Sequence, residues 1–531
     1  MSESYALTTP IYYVNATPHL GTAYTTVAAD SLARFERMDG KDVFFLTGLD
    51  EHGQKVAESA AKQGMTPQEW CDQIAPKFKE AWEQLAISND DFIRTTEPRH
   101  MRGVQAFWTD LHEKGYLYKA SYEGWYCIHE ETYYTESEVV EIDGEKCCPE
   151  CNRPLRYNSD GEENWFFKLS EFQDALLEYY EAHPDFICPK TRRNEVVSFV
   201  KGGLKDLSIS RTTFDWGVPL PFDEGHVTYV WIDALLNYIT AMGYGGNEEE
   251  MAEFRRRWPA QYHFVGKDII RFHCVIWPAM LMAAGLPLPE KVFAHGFLLT
   301  KGEKMSKSTG NAVSPADLIA IFGLDAYRYY FMTDVPFGND GSISMERMVQ
   351  VYNADLANTW GNLCSRAFNM AVKYFDGVVP ALSPERYAEL EGELGNPLRD
   401  IAEGLYERYA SAFNEVDFTG AAAAVNELSQ RANAYIEEMA PWNLAKDESK
   451  ADELAFVIYN TLEAIRLLAI YYSPWMPGTS ETALASLGLA DVLPITDLSA
   501  KSAWGQLPAG NVVTKCPPLF PRLQLDDLQL S

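Results

Sequence analysis

An apolar run from Tyr5 to Val14 passes through Pro18-His19-Leu20-Gly21-Thr22 into a helical pattern, and a second apolar run follows at once. That order constrains the fold more than any other feature of the chain. Tyr5 to Val14 is rich in β-formers and short enough for a buried strand. Leu20, Tyr24, Val27, Ala28, Ser31, Phe35 and Met38 approximate a 3.6-residue period, with Ser31 the weak member, and Gly40 suits a helix stop. Asp42 to Thr47, with Val-Phe-Phe-Leu at its centre, is the second strand. This is a β-α-β unit, and it predicts a Rossmann-like, doubly wound parallel sheet, hence an α/β class.

The pattern breaks in the middle of the chain. From about Gly115 to Gly225 come charged turns, short mixed segments and four clustered cysteines. From Thr228 the alternation resumes: His263-Phe264-Val265 reads as a strand, Ile269 to Ala284 as a helix and Val292 to Leu299 as another strand. A nucleotide fold interrupted by an insertion explains this with the fewest assumptions. Ser314-Pro315 opens a helix with a cap and an N1 proline. After about Met345 the periods lengthen: Met348, Tyr352, Leu356, Trp360, Leu363 and Ala367 recur at three- and four-residue steps, and Ala421 to Met439 and Leu454 to Tyr472 continue the theme. A helical bundle fits this half. The 531 residues exceed one ordinary core, and 47% hydrophobic with 13% aromatic residues suffice for several.

Two motifs carry phosphate chemistry. His19 and Gly21 fall where the first strand turns into the first helix, and helix N-termini favour phosphate. A histidine capping its own helix is the structural alternative. Far downstream, Lys304-Met305-Ser306-Lys307-Ser308 puts two ammonium groups in a loop with Gly302 and Gly310 on either side. Such a loop can close on a polyphosphate and neutralise charge that builds in phosphoryl transfer. Separately, Cys148-x-x-Cys151 with Cys127 upstream has the shape of a zinc knuckle.

Together the two phosphate motifs resemble the signatures of class I aminoacyl-tRNA synthetases. Thr8-Thr9-Pro10-Ile11-Tyr12-Tyr13-Val14-Asn15, Thr47-Gly48-Leu49-Asp50-Glu51-His52-Gly53, Tyr229-Val230-Trp231-Ile232-Asp233-Ala234, Gly266-Lys267-Asp268-Ile269 and Ala440-Pro441-Trp442 are similar to methionyl-tRNA synthetases, over nearly the whole chain. The resemblance implies activation of L-methionine by ATP with Mg²⁺, then transfer to tRNA(Met), initiator and elongator. It assigns catalysis to His19, Gly21, Thr22, Lys304 and Lys307, and ATP binding to these glycine, histidine and lysine residues with Ser306, Gly266 and Asp268. Ile11, Tyr13, Trp231, Ala234, Tyr238, Ile269 and His273 would line the methionine pocket, Tyr13 or His273 touching the sulfur, and Asp50 would hold the α-ammonium. Asp50 could instead cap a helix. Many relatives have His where this chain has Thr22, which leaves that position without a positive charge. Structural Zn²⁺ would be held by Cys127, Cys148, Cys151 and Glu130 by family spacing, with His129 or Cys147 as other fourth ligands, and the knuckle would hold the insertion against the acceptor end of tRNA. Asn362, Arg366 and Trp442 would read the anticodon.

The implied domains are residues 1–115 and 226–325 for the two halves of the catalytic fold, 116–225 for the connective insertion, 326–360 for a stem-contact linker, and 361–531 for an all-α anticodon-binding domain with its tail. Another class I synthetase, for cysteine or a branched aliphatic amino acid, is the nearest rival; the insertion is too short for the editing domain of the leucine and valine enzymes. A non-catalytic tRNA-binding homologue and a small nucleotidyltransferase are the others; the second leaves the long helical half without a purpose. A net charge of −31 opposes nucleic-acid binding on composition alone, but Lys190 to Arg211 holds six cations against two carboxylates. No run reaches the roughly 18 apolar residues of a membrane span, Met1-Ser2-Glu3-Ser4 is unlike a signal peptide, and five cysteines are scattered, so a cytoplasmic protein is expected. Without the extra C-terminal domain that makes some relatives dimers, a monomer is expected.

Overall fold

The computed structural model describes residues 2–15, 17–127, 132–134, 136, 138–142, 144–149, 151–300, 303–304 and 314–528. The chain forms two compact units. One comprises Ser4–Pro18 and Val43–His295; the other comprises Met1–Glu3, His19–Asp42 and Gly296–Ser531.

The first unit is built on a six-stranded sheet. Its strands are β1 (Ser4–Tyr13), β2 (Asp42–Asp50), β3 (Asp91–Arg94), β4 (Ile187–Cys188), β5 (Tyr262–Gly266) and β6 (Lys291–His295), in the spatial order β3-β2-β1-β5-β6-β4. The pairs β2/β3, β1/β5, β5/β6 and β6/β4 are parallel, with Leu7 opposite Tyr262 and Thr8 opposite His263. Strand order therefore reverses between β1 and β5, the arrangement expected of a doubly wound sheet. The middle segment folds as an antiparallel sheet in which the long strands Leu117–Cys127 and Arg156–Phe167 pair, and it returns β4 to the edge of the parallel sheet.

Two helices of this unit matter below: α2 (Pro98–Glu113) and α3 (Val230–Thr240). They touch at Gly103, where a Cβ would come within 2.4 Å of Thr240 Cγ2 and 2.8 Å of the Tyr244 carbonyl oxygen. Only glycine allows so close an approach.

The second unit is helical. The helix between β1 and β2 in the chain, α1 (Leu20–Met38), belongs to it. Tyr24 packs on Phe331 and Phe337, and Phe35 stacks on Phe413 with a centroid separation of 4.6 Å. Arg328, 0% exposed, donates from Nη2 to Asp30 of α1 (2.6 Å) and to the Pro474 carbonyl (2.8 Å), and from Nε to the Trp475 carbonyl (3.1 Å). Ser314 caps the helix Pro315–Phe322 in a capping box with Asp317, as its Ser-Pro start predicts.

No run of 18 apolar residues occurs, but among the described residues one helix, Glu448–Tyr472, is long and apolar enough on average to cross a membrane. Asn460, Thr461, Glu463 and Arg466 interrupt its apolar residues and hide it from a count of consecutive ones. It is buried nearly throughout, as the core helix of the bundle. Glu463 accepts from Arg466 Nη2 (2.6 Å) and Nε (2.8 Å) and from the backbone N–H groups of Gly505 (2.7 Å), Gln506 (3.0 Å) and Leu507 (3.0 Å). The less regular tail is thereby fastened to the bundle's core, with the buried charge fully satisfied.

Candidate active site and anticodon cleft

His19 is the N-cap of α1. Its Nδ1 accepts from the backbone N–H groups of Gly21 (3.1 Å) and Thr22 (3.3 Å). A ring nitrogen that accepts carries no proton, so the hydrogen of this imidazole sits on Nε2. The capping alternative and the phosphate reading are thus compatible: capping fixes the tautomer, and the tautomer is a donor. The Thr22 hydroxyl accepts from the His19 backbone N–H (3.0 Å) and donates to the His19 carbonyl (2.7 Å). That capping box accounts for a threonine here. A Cβ on Gly21 would lie 3.1 Å from His19 Cε1 and 3.2 Å from its Nδ1, so the capped ring favours glycine at this position.

In the sheet unit, β1 ends at Tyr13, β2 at Asp50 and β5 at Gly266, so these candidates leave the sheet at its carboxyl edge, where open α/β sheets bind ligands. Asp268 is exposed in the single turn Lys267–Ile269 that follows β5. Asp50 is 2% exposed and is not a cap: the next helix, Gln54–Lys62, starts after Gly53 with no side-chain cap. Ile11 and Tyr13, two residues apart, share a face of β1 and are half-buried.

Trp231, Ala234 and Tyr238 share a face of α3. Trp231 stacks on Phe272 at 4.4 Å and meets Tyr13 edge-on at 5.6 Å. His273 lies in a π-helical turn, Phe272–Ile276. Its Nδ1 donates to the Ile269 carbonyl (3.0 Å), which can only accept, so its Nε2 accepts from the Tyr238 hydroxyl (2.7 Å). Tyr238 stacks on His263 at 4.2 Å; His263 Nε2 accepts from Trp277 (3.2 Å), and its Nδ1 then donates to Thr8 Oγ1 (2.7 Å). Burial drives His273 down to about 4, against the raising effect of the Ile269 carbonyl. Burial and the neighbouring His273 drive His263 well below the usual imidazole range. Both rings are neutral at physiological pH, and with both nitrogens of His273 engaged, any contact it makes with a thioether is through carbon.

The polar face of α3 carries a second network. Asp233, fully buried, accepts from His52 Nδ1 (2.6 Å) and from His100 Nε2 (2.9 Å), and His100 Nδ1 meets Thr240 Oγ1 (2.8 Å). Burial raises the Asp233 carboxyl, but the two imidazoles outweigh it and hold it down at about 2. His52 belongs to the segment that follows β2. Around it the Glu51 backbone N–H donates to Thr95 Oγ1 (3.0 Å), the Glu51 carbonyl accepts from Trp216 Nε1 (2.6 Å), and the Gly53 N–H donates to the Trp216 carbonyl (3.1 Å).

Lys304 lies in the strand Glu303–Lys304, antiparallel to Leu298–Thr300. Ser306 and Lys307 lie outside the described residues, as do His129 and Glu130. The sulfurs of Cys127, Cys148 and Cys151 all lie within 4.8 Å of one another, and Cys127 and Cys151 are 3.6 Å apart. Tetrahedral Zn–S bonds of about 2.3 Å put sulfurs roughly 3.8 Å apart, so these three thiols, none of them in a disulfide, fit zinc. Asn152, at φ 58°, makes the left-handed turn after Cys151. Cys147 is not part of this cluster; it pairs with Val140 and Pro154.

In the helical unit, Asn362 and Arg366 line a shallow polar cleft of about 360 Å³ with Asn358, Gln430, Asn433 and Glu437. Asn362 donates to Asn433 Oδ1 (3.2 Å), and Arg366 pairs with Glu437 (2.7 Å). Trp442 is 37% exposed in the short helix Pro441–Leu444, set off by a left-handed Ala440 at φ 42°.

Residues 5–368 match the family model described as tRNA synthetases class I (M), and residues 385–529 that described as the anticodon binding domain of methionyl tRNA ligase. The chain belongs to the methionyl-tRNA synthetase family. It is 49% identical to the methionine–tRNA ligase of Streptomyces coelicolor, over 98% of this chain and 97% of that protein, and 48% identical to that of Caldanaerobacter subterraneus, over 99% and 80%. Among solved structures, a Mycobacterium tuberculosis methionyl-tRNA synthetase in complex with methionyl-adenylate is similar at a TM-score of 0.91 and 43% identity, over 98% of this chain and 100% of that one. These matches select the methionyl-tRNA synthetase reading over the cysteine and branched-aliphatic alternatives.

For a methionyl-tRNA synthetase, the structure groups the expected residues by unit. Tyr13 and Trp231 meet edge-on, the Tyr238 hydroxyl and the Ile269 carbonyl hold His273, and Asn362 and Arg366 share one cleft. Sequence reasoning missed Phe272, the His52–Asp233–His100 network, and Asn433 and Glu437. Asp233 and His52 stood inside the quoted motifs, but nothing in a linear motif says that they meet.

Proposed function

We propose that the chain activates L-methionine with ATP and then charges tRNA(Met). The methionine carboxylate attacks the α-phosphorus, an α-phosphate bridging bond breaks, and pyrophosphate leaves; a terminal ribose hydroxyl of the tRNA then attacks the activated carbonyl and AMP leaves. No covalent enzyme intermediate is needed, so catalysis is positioning and charge stabilisation. His19 donates from Nε2 to a phosphate oxygen, while Thr22 and Gly21 hold its ring. Lys304, Lys307 and Ser306 stabilise the leaving pyrophosphate, Asp268 and Gly266 take the ribose, and Mg²⁺ accompanies ATP as its counter-ion. Asp50 holds the α-ammonium. Tyr13, Trp231, Ala234, Ile11 and Ile269 form the wall for the thioether, with His273 kept neutral by burial and its Nε2 occupied by the Tyr238 hydroxyl.

The observation that supports this best is a buried carboxylate at the end of β2, on the strand next to β1, whose last residue Tyr13 meets Trp231 in an aromatic wall. That is the chemistry of an amino acid whose charge lies only at its α-centre. ATP–pyrophosphate exchange across the twenty protein amino acids tests it: methionine alone should support strong exchange, and strong exchange with another amino acid, or none with methionine, would overturn it. Discrimination of a missing methylene is worth only about 1–3 kcal/mol, so homocysteine should be activated weakly.

Cys127, Cys148 and Cys151 would hold a structural zinc ion, with Glu130 as the proposed fourth ligand. Metal analysis of the purified protein should give about one equivalent, and a content far below that would reject the site. Trp442 would stack on an anticodon base while Asn362 and Arg366 offer hydrogen bonds in the cleft.

A further inference from the structure

Asp233 sits where two halves of the proposed methionine site must be held in register. It is on α3, two residues from Trp231 and one from Ala234. Its partner His52 is two residues beyond Asp50, on the segment pinned by Thr95 and Trp216. The carboxylate therefore joins the backbone that carries the ammonium-binding group to the helix that carries the thioether wall. His100, on α2, closes the second oxygen and reaches Thr240 at the far end of α3, next to the glycine-only contact at Gly103. A buried charge with two imidazole partners is an expensive way to join two elements where apolar packing would serve. What it adds over packing is a fixed distance, because two short hydrogen bonds tolerate little sliding.

We propose that the His52–Asp233–His100 network is the length gauge of the amino-acid pocket: Asp233 and His52 are positioning residues that set the span between the α-ammonium site and the thioether wall, and so the selectivity for methionine over longer side chains. The inference rests on the reading of Asp50 and Trp231 as the two ends of that site. A wall fixed in place penalises an added methylene by overpacking; a wall free to slide does not.

The test compares exchange supported by methionine and by ethionine, which is one methylene longer, in the full-length protein. Asp233→Asn turns one accepting oxygen into a donor that faces an imidazole N–H. It should raise the KM for methionine at least tenfold, leave the KM for ATP within twofold, and shrink the methionine-to-ethionine ratio of kcat/KM at least fivefold. His52→Ala should do the same. His52→Asn, whose side-chain N–H takes the place of Nδ1–H, should restore the ratio to within twofold of the original. Active-site titration by stoichiometric adenylate formation corrects for molecules that fail to fold, so His52→Ala and His52→Asn decide the matter if Asp233→Asn does not accumulate. Equal losses for the two amino acids in His52→Ala, with the ratio unchanged, would overturn the gauge and leave a purely structural network. Absence of methionine-dependent exchange in the unaltered protein would instead refute the proposed function itself.

Discussion

The aromatic wall around His273 and the cleft around Arg366 meet their partners in opposite ways. In the wall, Tyr238, His263 and His273 are buried, and the two imidazoles use both nitrogens on neighbours within the unit. In the cleft, Asn362 leans on the half-buried Asn433 and Arg366 on the exposed Glu437, whose side chain is 62% exposed. A small side chain with no charge can be held only by a surface whose own polar groups are already satisfied, since any orphan would cost more than the ligand returns. An unstacked base brings its own donors and acceptors, so a site for it must keep exchangeable ones.

The largest test of this contrast is Asp50→Ala. It removes the one charge proposed for methionine in the buried region, and loss of a buried ionic partner costs about 3–5 kcal/mol, so methionine-dependent exchange should fall at least a hundredfold in kcat/KM. Exchange within threefold of the unaltered protein would remove Asp50 from the site.

Acid should come next, and it should strike the wall. His273 titrates near 4 in the folded chain against 6.5 for an ordinary histidine. Above 6.5 neither state binds the proton and its contribution is constant; as pH falls from 6.5 toward 4, only the unfolded chain takes it up, and stability drops by a total of about 3 kcal/mol. Urea unfolding at pH 7 and pH 5 should show a loss about 2 kcal/mol smaller in His273→Asn than in the unaltered protein. Equal losses would mean that the ring is not held neutral.

Trp442→Ala should be smaller and confined to the other region. Stacking on one base is worth about 1–3 kcal/mol, so kcat/KM for aminoacylation should fall about 5- to 150-fold while exchange without tRNA stays within twofold. Parallel losses in both assays would make Trp442 a packing residue. Smallest of all is Glu437→Gln. Exposed ion pairs contribute about 0–1 kcal/mol, so the stability of the helical unit should hardly move, and any change should appear in tRNA binding.

Much of this was legible because it was local. The β1-α1-β2 unit announced itself through periodicity, Ser314-Pro315 through a cap and an N1 proline, and the cysteine cluster through the spacing of Cys148 and Cys151. Asn362 and Arg366 fell on one helical face because they stand four residues apart. What escaped was non-local. Asp233 meets His52 across 181 residues and His100 across 133, and polar residues within apolar stretches read as interruptions until their partners are seen. The helical period of Leu454 to Tyr472 was legible, but the burial of Glu463 within it was not, since that carboxylate is tolerated there only through a tail some forty residues further on. Tyr238 and His273 were identified as pocket residues, but that one silences the other's nitrogen follows from their hydrogen bond alone.

The guanidinium of Arg328 has a practical bearing on how this chain can be cut. It ties Asp30, eleven residues into the helix that starts at His19, to carbonyls at Pro474 and Trp475. A fragment ended anywhere between residues 330 and 400 would keep the arginine and the aspartate but lose the carbonyls and the aromatic floor around Phe413, leaving a helix with a half-satisfied cation under it. A minimal catalytic piece made by simple truncation should therefore be poorly soluble, and one designed to fold would need that floor rebuilt.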